Sequence, residues 1–188
     1  MARDNRQIFD EMYDQWKGHI YRYLVHYVGS VSDVEDLFQE VWLKAYSQCD
    51  HLRDSQRARA WIFRIARNCA FDHLRKNRRK TQVWVLSDLA MSPQDENAIL
   101  EGIAAPGASP TEVSVERERQ RIVHKVLKQL DPVSQEVFQM HFFESLVLEE
   151  IAEILDIPLG TVRTKIFRGL RTIRQILHKS GYRALDEI

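Results

Sequence analysis

Basic side chains recur at helical spacing in the last quarter of this 188-residue chain. Between residues 161 and 174 they are Arg163, Lys165, Arg168, Arg171 and Arg174. No acidic residue lies among them. Arginine and lysine neutralise phosphate, and arginine also hydrogen-bonds base edges in the major groove. The segment therefore predicts a helix that binds duplex DNA, with an ordinary solvated basic face as the alternative.

Two short helices that meet at a tight turn are predicted over residues 148–176, and the basic helix is the second of them. The first ends at the turn sequence Asp156-Ile157-Pro158. In the second, the predicted buried stripe consists of Val162, Ile166, Leu170, Ile173 and Leu177. The other face carries the candidate DNA contacts Arg163, Thr164, Phe167, Arg168 and Arg171. This arrangement is typical of a helix-turn-helix DNA reader.

A second candidate surface lies on a helix predicted over residues 55–78. One side of this helix is apolar, and the opposite side collects Trp61, Arg64, Asn68, Phe71 and Arg75. Aromatic rings stack on unpaired bases, arginines bind phosphate, and an asparagine amide can hydrogen-bond a base edge. The face therefore predicts capture of single-stranded nucleic acid, with the alternative that Trp61 and Phe71 belong to the core. A duplex reader and a strand-capturing face together indicate a protein that melts DNA.

The formal net charge of zero conceals two blocks of opposite charge. Residues 57–80 contain nine basic residues and one acidic residue, whereas residues 81–116 contain six acidic residues and no lysine or arginine. Such asymmetry favours a nucleic-acid surface beside an acidic connector. The alternative is that both blocks are solvated and neutralise each other.

Helical periodicity covers most of the chain outside residues 93–110, where three prolines and two glycines predict a linker. The predicted fold is all-α, with two small helical domains joined by a flexible acidic linker. We place the domains at residues 1–80 and 116–188, and the linker at residues 81–115. The second domain contains the helix-turn-helix.

No cofactor, metal centre or enzyme motif is predicted. The seven histidines show neither HxH nor HExxH spacing, and GxSxG and phosphate-loop glycines do not occur. Cys49 and Cys69 do not form a CxxC pair, so we expect buried free thiols in a reducing compartment. No apolar run is long enough to span a bilayer, and the polar, acidic N-terminal residues do not resemble a signal peptide. We therefore expect a cytoplasmic protein without membrane insertion.

Three segments resemble the signature blocks of one bacterial family. They are DVEDLFQEVWLKAY at residues 33–46, AWIFRIARNCAFDHLRKNRR at residues 60–79, and LVLEEIAEILDIPLGTVRTKIFRGLRTIR at residues 146–174. In this order and spacing they look like RNA polymerase sigma factors of the extracytoplasmic-function group, within the sigma-70 family. The resemblance implies a sigma factor that binds core RNA polymerase, directs it to promoter DNA and helps open it.

The resemblance also implies roles for particular residues. It places core polymerase binding, at the beta-prime clamp helices, on Asp36, Gln39 and Glu40. It makes Asn68 the contact for a flipped base of the minus-ten promoter element, supported by Trp61, Arg64 and Arg75. It assigns the minus-thirty-five element to the basic helix, with base or sugar-phosphate contacts from Arg163, Thr164, Phe167 and Arg168, and phosphate contacts from Lys165 and Arg171.

The same resemblance implies further partners, namely the beta flap of the polymerase and an anti-sigma factor that holds the protein inactive. It gives the acidic linker a path through the polymerase toward the active centre. A stand-alone helix-turn-helix regulator is the alternative function, but it would leave the basic helix that carries Asn68 unexplained. An enzyme is a further alternative that no motif supports.

Overall fold

The computed structural model describes residues 5–28, 31–52, 57–78, 123 and 125–179. All regular secondary structure within these ranges is helical, which confirms the predicted all-α fold. The chain divides into two compact units, and the main boundary between them follows Ile99. The predicted linker at residues 81–115 lies outside the described residues, so its bounds stay a prediction.

The first unit contains three long helices. They are α1 (Asn5–Val25), α2 (Val31–Gln48) and α3 (Ala58–Arg78). Each helix contributes apolar side chains at intervals of three or four residues, so each has one face that is buried against the other two. The most deeply buried side chains include Ile20, Tyr23 and Leu24 of α1, Val34 and Val41 of α2, and Ile62 and Phe63 of α3. Burial of a side chain of this size contributes about 1.5–3 kcal/mol relative to its exposure.

The two cysteines of this unit bear on the sequence-based expectations. Cys49 and Cys69 are both buried free thiols, as expected. Burial raises the pKa of the Cys69 thiol, and the ammonium of Lys44, whose Nζ lies 3.4 Å from Cys69 Sγ, partly offsets this effect.

The second unit contains a capped helix. Asp131 precedes α4 (Pro132–Phe138), and its carboxylate accepts a hydrogen bond of 3.1 Å from the backbone N–H of Ser134. Pro132 occupies the first turn, where its missing N–H leaves no helical hydrogen bond unmade. The helix continues as a π-helical turn over Gln139–Phe143.

The helix-turn-helix consists of α5 (Leu148–Leu155) and α6 (Leu159–Lys179). The turn between them contains Asp156 in the left-handed region, with φ of 54°. The backbone N–H of Ile157 closes it by donating to the carbonyl of Ala152, at 3.1 Å. A chain that leaves one helix through a left-handed residue changes direction at once, which is how the second helix can cross the first closely.

Helix α6 packs against α4 at Gly169. A Cβ atom placed on Gly169 would lie 2.3 Å from Phe138 Cε2 and 2.7 Å from Phe138 Cζ, so only glycine fits against the undisturbed ring. Val162 and Gly169 are buried, and Ile166 and Ile173 pack against the core that contains Phe138. The sequence-based stripe was wrong at Leu170, which is 47% exposed and lies beside the buried side of the helix. Within the described residues, no helix is both long and apolar enough to span a membrane.

Candidate nucleic-acid interfaces

The structure brings most of the predicted DNA contacts of α6 onto one exposed side. We call this surface the reading face, and it consists of Arg163, Thr164, Phe167, Arg168 and Arg171. Their spacing of three or four residues places them on adjacent turns, opposite the side that packs on α4. Phe167 is 71% exposed, although a large aromatic ring is usually buried.

The side chains of the reading face make few contacts that would hold them away from a ligand. Arg163 Nη2 lies 3.9 Å from Glu149 Oε1, and both side chains are 64% exposed. An ion pair this long and this exposed contributes little and exchanges readily. The Thr164 hydroxyl donates to the Gly160 carbonyl at 2.8 Å, which fixes its rotamer at the start of the helix. The face therefore presents cationic groups and one aromatic ring that can enter a groove lined by phosphate.

Lys165 does not join this surface. Its Nζ lies 2.7 Å from Asp131 Oδ1, and its side chain is 29% exposed. Burial raises the pKa of the Asp131 carboxyl, but hydrogen bonds from Lys165 and Ser134 outweigh that effect and hold the pKa below its ordinary value. Among the predicted contacts of the basic helix, Lys165 is thus the one whose charge is directed at α4.

The predicted strand-capturing residues lie along one side of α3. We call this surface the strand face, and it consists of Trp61, Arg64, Asn68 and Arg75. Asn68 and Arg75 are exposed, and Trp61 and Arg64 are partly buried. Arg75 Nη2 lies 3.4 Å from Asp72 Oδ1, one turn earlier on the same helix. The combination of an amide, guanidinium groups and an indole ring suits a base and its flanking phosphates.

Phe71 belongs to the packing of the first unit. Its ring lies 5.8 Å from the ring of Tyr27, between centroids, and the guanidinium of Arg67 stacks over it at 4.6 Å. Contacts on two sides leave less of the ring available for a base. This outcome favours the core alternative for Phe71.

The predicted polymerase-binding residues lie on the solvent side of α2. Asp36 and Gln39 are exposed, whereas Glu40 pairs with Lys44 at 2.7 Å between Glu40 Oε1 and Lys44 Nζ. Leu43 is 71% exposed and follows on the same side of the helix, one turn after Gln39. Leu43 was not among the predicted contacts, although its position outside the buried face of α2 was a usable signal. A single exposed leucine is common on protein surfaces, so its place on the same side as Asp36 and Gln39 is what makes it a candidate contact.

No cluster of three or more potential metal ligands occurs in the part of the chain that the structure describes.

Comparison with protein families gives two matches. The model for sigma-70 region 2 matches residues 12–80, which contain the strand face and α2. The model for sigma-70 region 4 matches residues 120–173, which contain the reading face. The two matches occur in chain order and do not overlap.

Curated relatives match along nearly the whole chain. The ECF RNA polymerase sigma factor SigW of Bacillus subtilis is 29% identical over 177 residues, which are 94% of this chain and 92% of that protein. The RNA polymerase sigma-H factor of Pseudomonas aeruginosa is 28% identical over 178 residues, or 94% and 90% of the two chains. The ECF RNA polymerase sigma-E factor of Escherichia coli is 28% identical over 173 residues, or 92% and 88%.

Solved structures share the fold. The sigma factor RpoE of Bartonella quintana, in complex with the anti-sigma factor NepR, matches with a TM-score of 0.66 at 20% identity, over 90% of this chain and 96% of that one. CnrH, in complex with the cytosolic domain of CnrY, matches with a TM-score of 0.62 at 20% identity, over 93% and 90%. The two family matches and the curated relatives show that the chain belongs to the extracytoplasmic-function group of the sigma-70 family of RNA polymerase sigma factors.

Proposed function

We propose that this chain binds core RNA polymerase, directs it to promoters with a minus-thirty-five and a minus-ten element, and helps open the second. The observation that carries the proposal is the exposed reading face on the second helix of a helix-turn-helix, in a chain that matches the models for both sigma-70 region 2 and sigma-70 region 4. Residues 1–80 perform the polymerase and minus-ten functions, residues 116–188 the minus-thirty-five function, and residues 81–115 link them.

The reading face recognises the minus-thirty-five element as duplex DNA. Arg163, Thr164, Phe167 and Arg168 contact bases or their sugar-phosphate edges, because they lie in the first three turns of α6, where a recognition helix enters the groove. Arg171 lies one turn further along and binds phosphate. Base contacts give the sequence preference, and phosphate contacts fix the register on the duplex.

The strand face binds the minus-ten element after it has been unpaired. The exposed amide of Asn68 hydrogen-bonds the edge of a flipped base, and Trp61 and the two arginines hold the base and the adjacent phosphates. Extrusion of a base costs a few kcal/mol, so these contacts must supply a comparable binding free energy. Their accessibility supports the assignment, since a base can approach Asn68 without displacement of a core side chain.

Polymerase binding is assigned to the exposed side of α2. Asp36, Gln39 and Glu40 provide the polar contacts with the beta-prime clamp helices, and Leu43 adds an apolar contact at the end of the same stripe. The second unit binds the beta flap. Synthesis of RNA is the work of core polymerase, so this chain has no catalytic residues of its own and acts in the cytoplasm, where polymerase and promoter are found.

An anti-sigma factor controls the activity. The likeness to RpoE of Bartonella quintana, which was solved with the anti-sigma factor NepR, supports this part of the proposal. Such a partner would occlude the polymerase-binding side of α2 and thereby keep the chain from initiating transcription.

Reconstitution tests the proposed function. The purified chain is mixed with core RNA polymerase and genomic DNA from the source organism, and the start sites of the transcripts are mapped by sequencing. We expect start sites that do not occur with core polymerase alone. The DNA upstream of these sites should share two sequence elements. Start sites that do not depend on the added chain would contradict the proposal.

A further inference from the structure

The charge of Lys165 is directed at α4 instead of the reading face. Its ammonium lies 2.7 Å from Asp131 Oδ1, across 34 residues of sequence, and its side chain is more buried than that of its partner, at 29% against 49% exposed. On a helix of 100° per residue, Lys165 lies near the side of Gly169 and away from Arg171. A lysine that contacts DNA phosphate would have to leave this partner.

Asp131 joins two elements. One carboxylate accepts from the backbone N–H of Ser134 at 3.1 Å, from the Ser134 hydroxyl at 2.6 Å and from Lys165 Nζ at 2.7 Å. The same side chain therefore caps the first turn of α4 and forms an ion pair with Lys165 of α6. The contact of Gly169 with Phe138 holds α6 against α4 one turn further on. Two contacts four residues apart on one side of a helix fix both its rotation about its axis and its approach to its neighbour.

We propose that the ion pair between Lys165 and Asp131 positions the reading face for the minus-thirty-five element, so that Lys165 is a positioning residue and not a phosphate ligand. The inference rests on the proposed function, because it concerns how α6 reads duplex DNA. Rotation of a recognition helix displaces every base contact on it together. Loss of the pair therefore weakens recognition although neither partner touches DNA.

The test compares Lys165→Gln, Asp131→Asn and the double variant in the reconstituted holoenzyme. Asparagine caps a helix about as well as aspartate, so Asp131→Asn removes the charge and keeps the cap. Affinity for a promoter duplex is measured across a salt series. Each single variant should bind about two- to fivefold more weakly, the range of a partly exposed ion pair, and the double variant should bind no more weakly than either.

The salt dependence separates positioning from phosphate contact. Loss of one phosphate contact lowers the slope of log affinity against log salt by about 0.9. Arg171→Gln, at the proposed phosphate contact, should show this change, whereas Lys165→Gln and Asp131→Asn should leave the slope unaltered. A reduced slope for Lys165→Gln with tighter binding by Asp131→Asn overturns the inference, because Asp131 would then compete with phosphate for Lys165. Unchanged affinity in both variants also overturns it.

A measurement without DNA distinguishes failure of the pair from failure of the proposed function. The pKa of the Asp131 carboxyl is followed by NMR in the full chain, with and without Lys165→Gln. We expect the substitution to raise this pKa, because it removes a hydrogen-bond donor and a positive charge. An unchanged pKa means that the pair does not form in solution. This result overturns the inference and leaves the proposed function unaffected. A raised pKa in a chain that directs polymerase to no promoter would instead refute the proposed function, and the inference with it.

Discussion

At the scale of single residues, the reading face and the strand face differ in what they offer a nucleic acid. The reading face has three arginines, a threonine and an exposed phenylalanine on successive turns of one helix. The strand face centres on one exposed amide, Asn68, with an indole ring and two guanidinium groups around it. Guanidinium groups on both faces can bind phosphate, so the difference lies in the exposed amide of the strand face, which suits the edge of an unpaired base.

Arg168→Ala should change sequence preference as well as affinity. We expect the variant to lose about 1–3 kcal/mol of binding free energy, all of it from one base-pair step of the minus-thirty-five element. On a promoter already mutated at that step, the variant should bind almost as tightly as the wild type. Binding of holoenzyme to a panel of promoter duplexes with single substitutions measures this pattern. Arg171→Ala provides the comparison, since loss of a phosphate contact weakens all sequences alike. The same uniform loss for Arg168→Ala would reject base reading by that residue.

Asn68→Ala should leave duplex binding intact and reduce promoter opening. Asn68 is exposed, so its truncation removes no packed contact and should change the free energy of unfolding of the first unit by less than about 0.5 kcal/mol. Permanganate reactivity of unpaired thymines measures opening, and a gel shift at low temperature measures binding. Gln15→Ala removes another exposed amide, on α1, and should affect neither. Normal thymine reactivity in Asn68→Ala would refute the base contact.

At the scale of helices, periodicity predicted the exposed and buried sides of most helices, and contact distances account for what it missed. The sequence Asp131-Pro132 is typical of a helix start, and α4 begins there with Asp131 as its cap. Leu170 was placed in the buried stripe because it continues the spacing of three or four residues, yet Gly169 takes that place, since only a residue without a side chain can approach the Phe138 ring. The partner of Lys165 is 34 residues away, and no local pattern reveals it. Sequence thus predicted which side of α6 is polar, but not which of its charges is already paired.

Gly169→Ala should destabilise the second unit, although alanine favours helices. The gain in helix propensity is about 1 kcal/mol, whereas a Cβ atom 2.3 Å from Phe138 Cε2 forces the ring to move, which typically costs about 1–3 kcal/mol. Hydrogen exchange of the amides of α6 measures the change locally, since a chain of two units has no single unfolding equilibrium.

Gly160→Ala is the matched control for this substitution. It lies on the same helix, and a Cβ atom there would meet no atom within 4 Å. We expect unchanged or slower exchange in this variant. In the double variant Gly169→Ala with Phe138→Leu, the smaller side chain should restore part of the protection. Equal protection in Gly160→Ala and Gly169→Ala would show that α6 does not pack closely on Phe138.

At the scale of the whole molecule, the proposed function requires three surfaces to act on one large assembly. The chain is neutral in total, so no overall charge draws it to DNA, and the local basic blocks must do so. Polymerase binding precedes promoter recognition in this account, because the strand face can hold a base only after the duplex has been engaged and opened. Loss of the polymerase-binding side of α2 should therefore abolish transcription without any change in the nucleic-acid surfaces.

Asp36→Lys should lower affinity for core polymerase by about tenfold or more, because like charges brought together in an interface cost several kcal/mol. Fluorescence titration of the labelled full chain with core polymerase measures the effect. Asp14→Lys makes the same charge reversal on α1, at a side chain that is 76% exposed, and should bind nearly as tightly as the wild type. An equal loss of affinity for core polymerase in both variants would show that the net charge of the chain, and not a local contact of Asp36, determines the effect.

The central claim is that the reading face binds duplex DNA and the strand face binds an unpaired strand. Footprinting of the open complex tests it most directly. Wild-type holoenzyme at one mapped promoter is treated in parallel with DNase and with permanganate. We expect protected, fully paired DNA over the minus-thirty-five element and reactive thymines confined to the minus-ten element and the start site. Unpaired thymines in the upstream element, or a protected minus-ten element in which no thymine reacts, would contradict the account.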